Sequence, residues 1–368
     1  MARGKNHGLL IAGGGAAAAL AALAMARLRP DVPMLLVGET PQAGGGRTLF
    51  FLDEQVSEEE RDFLAPLIAR SWDGFYVAMP GRSRKLMLRC HAVTGGAVDD
   101  AVREGLTSER YRPDCRIVAV RDDSLLLHGG ETVQGDGAID ARHWAHQTTL
   151  ELGWRHSTAR TLRFAEPHRV DLPVLFDSTV DQAPGCAFFT CLPLDDTRLL
   201  IEHVRYASAH EPSPGEAAER IEAYAALRGW GRGKIEGEDK ASLPVALGGD
   251  VGAYFRIGGA RVAKLGARGG FFGPTLSSPL PDAIRTALLL AGQRDFSGAA
   301  LYDLFEGETA ALWKRREFQR GFDRLLLRGG GCRALDGLFG LEPALIARFF
   351  GERLGLFERR KVLAAAGG

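Results

Sequence analysis

Cysteine is scarce and unpatterned: Cys90, Cys115, Cys186, Cys191 and Cys332 are an odd five among 368 residues, with no C-x-x-C pair. That excludes a disulfide framework and fits a reducing compartment. Each is expected as a small buried hydrophobe. Histidine clusters are lacking too. His143 and His146 form H-x-x-H, but no H-E-x-x-H or mixed Cys/His set accompanies them, so no metal is expected. No G-x-S-x-G elbow is present. Neither charge dominates, Lys+Arg and Asp+Glu numbering 46 each. No global field therefore favours nucleic acid, and basic residues do not interleave with aromatics. No apolar run is long enough to span a bilayer; residues 16–26 are the most apolar stretch, short and alanine-rich. Arg3 and Lys5 precede it in the manner of a signal peptide, but residues 8–12 run strand-like into glycines, which suits a folded N-terminus better.

What is present is a chain long enough for two interleaved subdomains. Its 45% hydrophobic and 25% charged residues are ordinary for a globular protein. No repeat or low-complexity linker divides it. Residues 8–50 read as strand, glycine turn, alanine-rich helix, strand and glycine loop. Residues 116–120 and 125–127 read as a hairpin, and strand signals dominate from 158 to 206. A helix is expected over 213–228, opened by Ser213 and Pro214, and the chain past 282 is almost wholly helical. The expected fold is α/β with an α+β insert. A nucleotide-binding domain takes 1–75, 90–157 and 255–300, a β-rich domain takes 76–89 and 158–254, and a helical tail takes 301–368.

Residues 13–18, GGGAAA, fit G-x-G-x-x-G/A in its alanine-ended form. Gly13 serves the tight turn, Gly15 lets a pyrophosphate approach the helix N-terminus, and small Ala18 permits close helix–strand packing. The motif follows a strand and opens a helix, the context that gives it meaning. A second strand, Met34 to Val37, leads to Glu39, an acid placed to bind a ribose. Beyond it Gly44, Gly45 and Arg47 suit a second loop folded over phosphates. Two glycine loops favour FAD over NAD. Residues 135–142 read as a strand ending in Asp140-Ala141-Arg142, the kind of edge that returns to a flavin domain, with Asp140 a candidate cofactor contact. Gly269 and Gly270 belong to a glycine turn before a helix over 282–290, whose positive end could face the flavin or a phosphate.

Several short runs then occur in a telling order: Pro41-Gln42-Ala43-Gly44-Gly45, Arg84-Lys85-Leu86, Asp177 through Gln182, Leu192-Pro193-Leu194, Thr197 through Glu202, Leu243-Pro244-Val245, and Leu345 through Phe349. In these the chain resembles the bacterial lycopene β-cyclases. The resemblance implies a fold similar to flavin monooxygenases and an isomerase activity on lycopene or a related acyclic carotenoid. It implies reduced FAD that is not consumed, with NAD(P)H only keeping it reduced. It also implies acid-initiated closure of the acyclic ψ end group to a β-ionone ring. Such chemistry demands a carboxyl kept protonated in an apolar pocket. Glu202, at the end of an apolar strand run, falls on the glutamate of the family's acidic motif. Phe188, Phe189, Phe271 and Phe272 are candidates to face the cation, and Asp177 and Asp181 are expected nearby without an assigned role. Departures occur at His203 and Val204, where the family usually has a second acid and a threonine, and over residues 273–278. A strand places His203 on the face opposite Glu202.

Residues 314–361 carry twelve Lys/Arg against six Asp/Glu. Phe318, Phe322, Leu325, Leu326, Leu345, Ile346, Phe349 and Phe350 recur there at helical spacing. Basic amphipathic helices of this kind can lie on an anionic membrane surface, so a cytoplasmic protein held peripherally at the inner face of the membrane is expected. Two other readings stay open: an FAD- and NAD(P)H-dependent monooxygenase or other oxidoreductase on an apolar substrate, and a non-catalytic membrane-associated flavoprotein or carotenoid binder.

Overall fold

The computed structural model of the chain describes residues 7–145, 148–182, 185–208, 214–259, 261–328 and 332–367. Ser213 and His146, singled out above, lie outside these residues.

A five-stranded parallel sheet forms the first half, in the order Ala263–Lys264, Gly137–Asp140, Leu9–Ala12, Met34–Val37, Tyr111–Arg112. Its central strands are buried on both faces, which is why they read as unbroken apolar runs. Leu9, Ile11 and Leu36 pack with the helices Ala16–Leu28, Gly95–Gly105 and Leu280–Ala291. Leu10, Leu35 and Val37 pack with the small antiparallel sheet of Ile117–Val120, Ser124–Leu127 and Thr132–Gln134. The expected hairpin is the first two strands of that small sheet.

The second half is a seven-stranded sheet ordered Lys234–Gly249, Leu150–Arg163, Arg198–Ala207, Ala187–Pro193, Val174–Asp177, Phe75–Met79, Arg82–Leu86. Leu150–Arg163 pairs antiparallel along its length with Lys234–Gly249, and from Trp154 onward with Arg198–Ala207. The expected division between residues 157 and 158 therefore falls inside a continuous strand, and residues 150–157 go with this sheet. Side chains alternate across it. On one face Phe188, Leu192, Leu200, Val204 and Tyr206 meet the C-terminal helices Glu317–Leu327, Cys332–Phe339 and Pro343–Phe350. On the other, Phe189, Cys191, Leu199 and Ile201 meet the helix Pro214–Leu227.

The helical tail corrects one expectation. Phe318, Phe322, Leu326, Leu345, Ile346, Phe349 and Phe350 are buried against the sheet, with Leu325 partly so. The amphipathic stripe thus covers the sheet face and is not a membrane surface. Helix Gly298–Arg315 separates from the rest of the tail and packs on Gly137–Asp140 and Ala263–Lys264 in the parallel-sheet half. Among the described residues no helix is long and apolar enough to cross a membrane. Phe322 is fully buried, with its ring centroid 4.9 Å from that of Phe349. Phe322→Ala is expected to cost about 3–5 kcal/mol through the cavity it leaves, read as a lowered urea midpoint; an unchanged midpoint would contradict this packing.

Candidate functional site

The first strand stops at Ala12 because Gly13 takes φ +141°, and a Cβ there would stand 2.5 Å from the Ala141 carbonyl oxygen. Gly15 caps the helix Ala16–Leu28 in an extended conformation. A Cβ on Gly15 would meet nothing within 4 Å, because the space before it is a cavity of about 620 Å³. Ala18 is fully buried under the helix. Opposite, Gly44 at φ +80° bridges Gly15, and Val98 fills the place a side chain would take on Gly44. This second loop is anchored where the Ala43 amide donates to Asp99 Oδ1 at 2.9 Å. Gly45 lines the cavity, and so does Glu39, whose Oε1 accepts from the Ile117 amide at 3.1 Å.

Gly13, Gly15, Ala18, Glu39, Gly44 and Gly45 are thus brought to one place. Four other candidates, Asp140, Gly269, Gly270 and Arg47, are not. Asp140 ends its strand buried, paired with Arg142 at 2.9 Å and Arg268 at 3.1 Å, away from the cavity wall. Burial opposes its ionisation, but the two arginines outweigh burial and hold the carboxyl below the usual range. Gly269 packs on the Lys264 carbonyl and Gly270 faces a smaller cavity, so Gly266 and Ala267 line the large one instead. Arg142, the last residue of the Asp-Ala-Arg edge, lines it as well. The helix Leu280–Ala291 does reach the cavity, but its first turn carries Asp282, ion-paired with Arg316 at 2.6 Å, which offsets the positive helix end.

Arg47 leaves the second glycine loop altogether. Its Nη2 donates to Ser157 Oγ at 2.9 Å and lies 3.3 Å from Glu202 Oε1, while Nε lies 2.6 Å from Asp239 Oδ2. Arg155 Nη2 reaches the same Glu202 oxygen at 3.2 Å. Glu202 is therefore buried, as expected, but between two guanidinium groups rather than in an apolar pocket. It shares its sheet face with Arg155, Ser157, Tyr206 and Asp239 through the strand register.

His203 faces the other way, its ring 5.0 Å from Phe189. Burial, then Arg220 and Arg205, push its imidazole down to about 4. Asp177 lies on that far side too, accepting from Tyr224 Oη at 2.6 Å and from Arg228, and Asp181 pairs with Arg220. These groups hold the helix Pro214–Leu227 to the sheet and do not meet Glu202. Of the four phenylalanines, Phe188 and Phe189 sit in separate cores, while Phe271 and Phe272 line the large cavity.

Sequence reasoning missed a second carboxyl. A cavity of about 70 Å³ adjoins the large one, sharing Leu243, Pro244, Phe272 and Pro279 with it. It is lined by Arg155, Tyr206 and the buried Asp323. Thr275 Oγ1 donates to Asp323 Oδ2 at 3.0 Å. Burial raises this carboxyl to about 7, against the lowering influence of Thr275, Arg316 and Arg320. In the sequence Asp323 is one more acid in a charged helix, and nothing separates it from a solvated one.

A five-stranded parallel sheet joined to a broad, mostly antiparallel sheet, with the cavity between, defines the fold class of the flavin-dependent monooxygenases and halogenases. A flavin-dependent halogenase from Xanthomonas campestris matches with TM-score 0.64 at 12% identity, over 98% of this chain and 94% of that one. The p-nitrophenol 4-monooxygenase of Pseudomonas putida matches with TM-score 0.61 at 15% identity, over 99% of each. In sequence, the family described as lycopene cyclase protein matches residues 8–365. The lycopene beta-cyclase of Pantoea ananas is 30% identical over 363 residues, 98% of this chain and 94% of that protein. That of Paracoccus sp. is 28% identical over 367 residues, 97% and 93%. The chain belongs to the lycopene cyclase family.

Asp140 gives a signed pH expectation. A carboxyl held low in the folded state stabilises fully above the unfolded aspartate pKa of about 3.9 and loses that contribution as pH falls through the folded value. Asp140→Asn is expected to cost about 3–5 kcal/mol at pH 7, as for a broken buried ion pair. The gap to the unaltered chain should shrink as pH falls below 4 (about the unfolded value). Urea unfolding at both pH values checks this, and a pH-independent gap would contradict it.

Proposed function

We propose that this protein is a carotenoid β-cyclase, an isomerase that closes the acyclic ψ end groups of lycopene or a close relative to β-ionone rings. Family membership supports the substrate class. The observation that carries the reading is Arg47, which leaves a loop lining the nucleotide cavity and ion-pairs with Glu202, joining the two halves at one carboxyl. The residues present fit FAD. Open space lies before Gly15, Glu39 lines the cavity and is assigned to the ribose, and the cavity continues to the apolar wall of Leu243, Pro244, Phe271 and Phe272. When bound, reduced FAD supplies negative charge beside a developing cation without net electron transfer, NAD(P)H serving only to keep it reduced.

In this reading a proton adds to the terminal alkene, an internal double bond attacks the resulting tertiary cation, and loss of an allylic proton completes the ring. Glu202 is assigned a part in these proton transfers, and the apolar wall keeps out water that would trap the cation. The proposed working units are a FAD-binding half, a β-rich substrate half beginning its second segment at Leu150, and the helices from Glu317 onward that cover the sheet. Anaerobic incubation with reduced FAD and lycopene is expected to give a cyclic product without net NAD(P)H consumption. Oxygen-dependent, stoichiometric NAD(P)H oxidation would sink the reading in favour of a monooxygenase. Glu202→Gln is expected to lose about 100-fold or more in rate while retaining FAD absorbance; normal cyclisation by this variant would remove Glu202 from the mechanism.

For membrane contact the exposed pair Leu356 and Phe357, 77% and 84% accessible, replaces the buried stripe. It opens the helix Leu356–Ala365, near Arg353, Arg360 and Lys361 in the chain. An apolar pair amid cations suits an anionic bilayer at the inner membrane face. Replacing both by serine should lower sedimentation with phosphatidylglycerol vesicles about tenfold or more, given about 1.5–3 kcal/mol per buried large side chain. Undiminished binding would move the contact elsewhere.

A further inference from the structure

Resting on the cyclase reading, we propose that Asp323 is the acid that protonates the end group, and that Glu202, held between two guanidinium groups, accepts the proton lost from the ring. The two carboxyls stand in contrasting surroundings, and that contrast assigns the roles. Glu202 Oε1 is shared by two guanidinium groups. Asp323 is buried, its one described hydrogen-bond donor is the Thr275 hydroxyl, and it forms no ion pair among the described residues.

Asp323 also faces space a substrate can enter. Its cavity opens beside the large one at Leu243, Pro244 and Phe272, and about 70 Å³ suits the branched terminus of a chain rather than a whole polyene. Two oxygens lining it, Gln319 Oε1 and Ser277 Oγ, are buried without a hydrogen-bond partner. Gln319 is itself 6% exposed. Unpartnered buried oxygens beside a cavity are costly unless positive charge or a donor comes there. A carbocation formed beside Asp323 meets that need.

The groups facing Asp323 come from every neighbouring element. Arg155 and Tyr206 face it from the sheet, Arg316 from the end of helix Gly298–Arg315, Arg320 from its own helix, and Thr275 and Ser277 from the loop. Arg155 is neutralised by Glu202, and Arg316 by Asp282 and Glu352. Burial then outweighs the remaining positive field, and the carboxyl holds its proton up to about pH 7.

The step balances. The O–H bond of Asp323 breaks as a C–H bond forms at the terminal alkene, and a C–C bond closes the ring. The ring C–H bond then breaks and its proton passes to the Glu202 carboxylate. That proton returns to Asp323 through solvent before the next turnover, with no change of redox state.

The test is a pH–rate profile of FAD-loaded protein with lycopene. For the unaltered chain kcat/KM should fall as pH rises through about 7. Thr275→Val removes a hydrogen bond that favours the carboxylate, so the alkaline limb should move to higher pH, a shift that a merely structural role does not produce. Asp323→Asn should lose about 100-fold or more with flavin absorbance intact, and Asp323→Glu should recover part of the loss. Without turnover, infrared difference spectra should show a protonated carboxyl that titrates with the same midpoint and is missing in Asp323→Asn. An Asp323→Asn rate within threefold of the unaltered chain overturns the assignment, as does a limb unmoved by Thr275→Val. Failure of the unaltered chain to cyclise overturns the cyclase reading and this assignment with it.

Discussion

The alternation of side chains across the seven-stranded sheet is the constraint on which this structure depends. Strands Leu150–Arg163, Arg198–Ala207 and Lys234–Gly249 pair antiparallel, with register shifts only between Glu151 and Leu152 and between Thr161 and Leu162, so residues 152–161 and their partners are each committed to one of two faces. One face looks toward the nucleotide half and the C-terminal helices and carries Arg155, Ser157, Glu202 and Tyr206. The other carries His156, Thr158 and His203 under the helix Pro214–Leu227. A one-residue slip would exchange these sets and put a histidine where the carboxyl stands. The apolar clusters on both faces oppose that slip, since it would expose them.

Charge is then managed locally in a molecule with no net charge. Asp140 with its arginines, and Asp282 with Arg316, fix the ends of elements that frame the large cavity. Arg316 also binds Glu352, tying the helical region to the same frame. Such buried pairs gain little net stability over apolar packing, but leaving one partner alone is expensive. Their value lies in fixing where the glycine turns and the cavity wall sit.

The nucleotide half was the most legible part of the sequence because its signals are local. Gly13, Gly15, Ala18, Glu39 and Gly44 lie within one βαβ unit and its adjoining loop, where φ, close approach and packing are set by near neighbours. The later assignments failed where the partner came from far along the chain. Arg47 looked like a phosphate ligand because it follows three glycines, yet Glu202 and Asp239, from the other sheet, draw its guanidinium away. The tail helices read as a membrane surface because amphipathicity does not say what the apolar face meets; the sheet meets it.

By itself the sequence determined the glycine turns, the parallel strands between them, the alternation that separates Glu202 from His203, and the family to which the chain belongs. Each of these follows from steric limits or spacing within a few residues, or from runs conspicuous in order. Only the tertiary structure decided that Glu202 lies between Arg47 and Arg155, that Asp140 supports the cavity without lining it, and that Asp323 is buried beside Thr275. The reason is physical: a carboxyl's protonation and partners depend on burial and on charges brought close from distant parts of the chain.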